Sequence, residues 1–136
     1  MSRALDDLCP HFRPLVFEFL ARLTEAGIAV MIVDTLRSEQ EHAANLAKGA
    51  SWIQRSKHLP QPHCCNKSHA LDVCPYEVYN IAGPDKLNWD HKTPVWGRII
   101  LMGENLGLRS GKHFPKPDLG HFEFMPQTVG VGIAEE

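Results

Sequence analysis

The chain has 136 residues, enough for one domain around one hydrophobic core, and its 43% hydrophobic and 22% charged content is that of an ordinary globular protein. Its formal net charge is −2, and no basic stripe or tail appears, which argues against nucleic acid as a partner. The longest apolar run, Ile28 to Val33, is far too short to span a bilayer, and the opening MSRALDDLCPHFRP lacks the apolar core of a signal peptide.

In chain order, Val16, Phe19, Leu20 and Leu23 fall on one face of a helix predicted from about Phe12 to Ala26, with Gly27 as its stop. The following IAVMIVDT is apolar and β-branched and predicts a buried strand that delivers Arg37 to its end. Ser38-Glu39-Gln40-Glu41 has the form of a capping box, so a short helix should run to about Lys48 and stop at Gly49. Residues 50–69, with Pro60 and Pro62, read as irregular. Ala70 to Cys74 reads as a strand ending at Pro75. Thr93-Pro94 is an N-cap and N1 pair for a helix carrying Val95, Trp96, Ile99 and Leu106, closed by Gly107. His121-Phe122-Glu123-Phe124 alternates polar and aromatic residues, a strand with His121 and Glu123 on one face. This order predicts an α+β fold, helices packed on a small antiparallel sheet; the strand order does not follow from it.

The eight histidines and four cysteines (Cys9, Cys64, Cys65 and Cys74) are the chemically unusual content. The cysteines read as reduced thiols of a protein made in the cytoplasm, since vicinal Cys64 and Cys65 pair poorly with each other. His63, Cys64, Cys65, His69 and Cys74 could together form another metal site, but no standard zinc spacing is present and such crowding is more often accidental. His11, His42, His91 and His113 read as surface residues, and Trp52, Trp89 and Trp96 as packing or groove residues. A catalytic zinc site needs three protein ligands and one open position, a carboxylate to take a proton and a cation to stabilise an oxyanion. Candidates lie in Ser56-Lys57-His58, in Ser68-His69-Ala70-Leu71-Asp72-Val73 and in Asp118-Leu119-Gly120-His121-Phe122-Glu123. Spacing alone is a moderate signal, because no HExxH and no paired CxxC is present.

Taken in order with Thr35-Leu36-Arg37-Ser38, Gln40, Trp96 and Leu106-Gly107-Leu108, these segments resemble the zinc peptidases that include D-alanyl-D-alanine carboxypeptidases and phage L-alanyl-D-glutamate endopeptidases. The resemblance covers about residues 10 to 125. It implies that His58, Asp72 and His121 hold one zinc ion, that Asp118 is the general base and that Arg37 binds a substrate carbonyl or carboxylate. Glu123 shares a strand face with His121 and is read as orienting that ligand rather than as the base. Arg37 has a surface alternative, pairing with Glu39 or Glu41.

Among the histidines before Asp72, His69 is three residues away and so on the opposite face of an extended chain, and His63 has competing thiols beside it; His58 carries the Ser-x-His context. The chain departs from many relatives in its long Leu59 to Leu71 stretch, in Ser110 where a tryptophan is common, and in Gly120 where a proline is common. The last change is expected to alter loop stiffness more than chemistry. The implied function is a zinc-dependent peptidoglycan peptidase, an L-Ala–D-Glu endopeptidase acting as a phage or prophage endolysin. The alternatives are a D,D-carboxypeptidase or dipeptidase on the same scaffold, or an inactive zinc-stabilised binding module. The expected organisation is one peptidase domain over residues 1–136, with no separate wall-binding domain, monomeric and without stable membrane association. It would act on the stem peptide after the membrane is permeabilised.

Overall fold

The computed structural model describes residues 2–49 and 56–126; Trp52 lies outside them. Helix α1 spans Arg13–Glu25, strand β1 Val30–Asp34, helix α2 Glu39–Ala47, strand β2 Ala70–Pro75, helix α3 Pro94–Asn105, strand β3 Arg109–Ser110 and strand β4 His121–Glu123. The strands form one antiparallel sheet in the order β1-β2-β4-β3. The α+β class expected from the sequence is therefore the one observed. Among the described residues, no helix is long and apolar enough to cross a membrane.

The helix ends follow local chemistry. α1 carries proline in its first turn and closes in a Schellman motif. There Gly27 N–H bonds Thr24 O (3.0 Å), Ile28 N–H bonds Leu23 O (2.8 Å), and Gly27 takes φ 75°. α3 closes the same way at Gly107, which takes φ 87°. α2 has the full capping box between Ser38 and Glu41. Thr93 stands at the start of α3, but its hydroxyl does not cap; it donates to Asp90 O (2.8 Å) and accepts from Asn88 Nδ2 (2.9 Å).

Period-two alternation divides the sheet into two faces. Leu71 and Val73 of β2 and Phe122 of β4 join Val16, Phe19 and Leu23 of α1 and Ile99 and Ile100 of α3 in the core. Phe19 and Phe122 meet with ring centroids 4.8 Å apart. Asp72, His121 and Glu123 alternate with these residues and face away from the helices. β1 differs from the buried strand expected. It is the sheet edge, with Met31 exposed and only Asp34 fully buried. The register shifts between Ile32 and Asp34, and this bulge sets Asp34 opposite Asp72.

Gly103 lets α3 approach β4. A β-carbon there would sit 2.5 and 2.7 Å from two ring carbons of the fully buried Phe122. Alanine is better than glycine in a helix by about 1 kcal/mol, but overpacking a tight core costs about 1–3 kcal/mol. Gly103→Ala is expected to lower the urea midpoint of unfolding, and a raised midpoint would show that the Phe122 ring yields freely.

Candidate metal centre

Pairing of β2 with β4 places Asp72 directly opposite His121. Asp72 Oδ1 lies 3.0 Å from His121 Nδ1 and 3.1 Å from His58 Nε2. The nearest ligand-type atoms of all three side chains fall within 4.8 Å of one another. His58 comes from the irregular segment before β2. That segment is pinned by Arg37 N–H to His58 O (2.9 Å), by His69 N–H to Lys57 O (2.9 Å) and by His58 N–H to Ser56 Oγ (3.1 Å).

Each imidazole is oriented by a second contact. His58 Nδ1 lies 2.8 Å from Thr35 O, and a carbonyl only accepts, so Nδ1 carries the proton and Nε2 presents its lone pair. That Nε2 is buried and has no aligned hydrogen-bond partner, although Asp72 Oδ1 is close. His121 Nε2 lies 2.9 Å from Glu123 Oε1. A proton on Nε2 leaves Nδ1 as the donor atom toward Asp72. With zinc–ligand distances of about 2.0–2.1 Å, ligand atoms on a tetrahedron are roughly 3.3 Å apart, close to the two separations seen here. An orphaned imidazole nitrogen, a carboxylate and a second oriented imidazole fit a zinc ion. The histidine side chains are 3% and 5% exposed and Asp72 is 22% exposed, so the cluster opens to solvent on the carboxylate side.

The charges are tightly coupled. Burial works against an ionised Asp72, but His58 and His121 hold its carboxyl far below the usual range. Burial also works against a charged His121, yet its hydrogen bonds to Asp72 and Glu123 raise its pKa to about 10. Glu123 is lowered despite burial, by His121 and then by Arg109 and Lys57.

Asp118 keeps an exposed flank on the turn before His121, with its N–H on Gly111 O (2.9 Å) and its carbonyl accepting from His121 N–H (3.2 Å). Lost hydration and the charge of Asp72 raise its pKa above the usual value. Arg37 Nη2 pairs with buried Asp34 Oδ2 at 2.6 Å, and that oxygen is 3.9 Å from His58 Nδ1. Its salt-bridge partner is thus the end of β1, and it stands beside the histidine cluster. His63 is exposed and His69 turns to the other face, its ring against Phe124. Burial lowers the pKa of His69 to about 4. His11, His91 and His113 are exposed as expected, but His42 is buried in α2. Trp96 is buried and Trp89 half-exposed.

Three neighbours of the cluster escaped the sequence reading: Asp34, the Thr35 carbonyl, and Phe114, whose ring is 5.1 Å from that of His121. Asp34 had a signal, a carboxylate closing an apolar strand; the other two had none. Gly120 is fixed by contact rather than by stiffness. A β-carbon there would lie 2.5 Å from Val73 O, and Gly120 O accepts from Val73 N–H (2.9 Å). Gly111 likewise leaves room for the Asp118 carbonyl and the His121 β-carbon. Ser110 is buried, and its hydroxyl caps the turn that follows it.

No known family profile matches the sequence, and no curated protein matches it. Among solved structures, the chain is similar to the Serratia marcescens L-Ala D-Glu endopeptidase ChiX, with a TM-score of 0.65 and 17% identity over 93% of this chain and 87% of that one. At that identity the likeness is one of fold.

The raised pKa of His121 has a consequence for the metal-free protein. A group lifted from 6.5 to about 10 on folding contributes stability that is complete below about pH 6.5 and is lost as pH rises toward 10. In chelator, the wild-type melting temperature is expected to fall more steeply over this range than that of His121→Ala. Parallel curves would mean that the ion pair contributes nothing.

Proposed function

We propose that this chain is a zinc-dependent peptidase of bacterial cell-wall stem peptides, cutting the L-Ala–D-Glu bond as a phage or prophage endolysin. The observation that supports it most is the convergence of His58, Asp72 and His121 on the open face of the β2–β4 pair. The fold shared with an L-Ala D-Glu endopeptidase adds to it. When bound by His58, Asp72 and His121, zinc supplies Lewis acidity that polarises a peptide carbonyl and makes water reactive near neutral pH.

The chain's own groups supply the rest. Asp118, with its raised pKa, accepts the proton of the attacking water and returns it to the leaving amine. Arg37, held in place by Asp34, binds a substrate carbonyl or carboxylate through its remaining guanidinium donors. Glu123 orients His121 through Nε2, and the Thr35 carbonyl orients His58 through Nδ1. The domain acts as a monomer.

His58→Ala is expected to lose one zinc equivalent relative to wild type together with activity, while His63→Ala keeps both. Asp118→Asn should retain its zinc and lose on the order of 100-fold or more in rate. Mass spectrometry of digested peptidoglycan identifies the bond from the new termini. Released D-alanine would reassign the enzyme as a D,D-carboxypeptidase, and full lysis by metal-free protein would overturn the zinc mechanism.

A further inference from the structure

A second cluster of ligand-type side chains lies on the other side of β2. The sulfurs of Cys9, Cys64 and Cys65 and a ring nitrogen of His69 all fall within 4.8 Å of one another. We propose that these four residues form a structural zinc site, separate from the His58–Asp72–His121 cluster.

The first argument is geometric. Cys9 Sγ lies 3.6 Å from Cys64 Sγ, and Cys65 Sγ lies 3.7 Å from His69 Nε2. Zinc–sulfur bonds of about 2.3 Å and zinc–nitrogen bonds of about 2.0–2.1 Å give tetrahedral edges of roughly 3.8 Å between sulfurs and roughly 3.6 Å between sulfur and nitrogen. Both observed separations are within a few tenths of an ångström of those edges. A disulfide needs about 2.05 Å, so the sulfurs are in contact but not bonded.

The second argument is the donor set. Three thiols and an imidazole match the closed Cys3His class, which leaves no position for substrate. Hard cations such as calcium and magnesium take oxygen ligands and are poorly served here. Cys74 stands apart, its thiol on Asn88 O (3.3 Å), and His63 is exposed.

The third argument is that the backbone is shaped around the cluster. The Gln61 carbonyl accepts from Cys64 N–H (3.1 Å), Cys65 N–H (3.2 Å) and Asn66 N–H (2.9 Å), while Gln61 N–H reaches Lys67 O (3.1 Å). Asn66 takes the left-handed conformation, φ 58°, and turns the chain back toward His69. Cys9 is brought to the same place by its N–H on Ser68 O (2.8 Å) and by Ser68 N–H on Asp7 O (3.1 Å). The metal would thus join the N-terminal segment, through Cys9, to the segment before β2, through Cys64, Cys65 and His69. From 56 to 69 that segment has no helix or strand, yet it carries His58. Metal binding would supply folding free energy where regular structure does not.

The test uses the full-length protein purified under reducing conditions, stripped with chelator and titrated with Co²⁺. The His58–Asp72–His121 cluster offers no sulfur, so thiolate-to-cobalt charge-transfer absorption in the near ultraviolet reports the second site alone. Wild type is expected to show that band at one equivalent, and His121→Ala to keep it in full. The double variant Cys64→Ser, Cys65→Ser should lose it. Zinc should also protect three of the four thiols from a thiol reagent in wild type. No charge-transfer band in wild type, four reactive thiols with zinc present, or a Cys9–Cys64 disulfide in the reduced preparation would overturn the proposal. A wild type that shows the band but takes up only one metal ion would support this site and count against the first.

Discussion

The antiparallel pairing of β2 with β4 is the constraint on which the site depends. It sets Asp72 opposite His121 and Ala70 opposite Glu123. Because side chains alternate along a strand, the same register buries Leu71, Val73 and Phe122 against α1 and α3. A slip of one residue would turn the carboxylate and the imidazole into the core and the apolar residues out. The hydrophobic effect therefore fixes the position of the candidate ligands, although none of them contributes to it. The pairing extends to Val73 N–H on Gly120 O, and glycine at 120 allows that close approach.

Around that pair, the protein holds a set of groups that would be costly to bury singly. His58, His121, Asp34 and Glu123 are all nearly inaccessible. Each is tied to another member or to the backbone: His58 to the Thr35 carbonyl, His121 to Asp72 and Glu123, and Asp34 to Arg37. Buried ionisable groups persist when they are paired and hydrogen-bonded in this way. The bulge in β1 serves the same end by placing Asp34 beside this network rather than in register along the edge.

The two clusters of potential ligands differ in kind. One is built of imidazoles and a carboxylate, partly open on the Asp72 side. The other is built of thiols and an imidazole, drawn from the N-terminal segment and the loop before β2. They meet through the backbone, since His69 N–H bonds the carbonyl of Lys57, next to His58. The loop is thus held near both of its functional ends without regular secondary structure of its own.

What the sequence determined by itself was local. Gly27, Gly49 and Gly107 ended helices, Ser38 and Glu41 closed a capping box, and alternation around His121 and Glu123 put them on one strand face, because such signals depend on neighbours within a few residues. The α+β class followed from the order of those elements, and the candidate ligands from the resemblance. Only the tertiary structure decided the strand order, the edge position of β1, the burial of His42 and the two-residue strand β3, which is too short to carry a pattern. It alone brought Cys9 to Cys64 across 55 positions, and Asp34 and the Thr35 carbonyl to His58. Such encounters arise from which faces must be buried against each other, and sequence spacing holds no record of distances that chain folding sets.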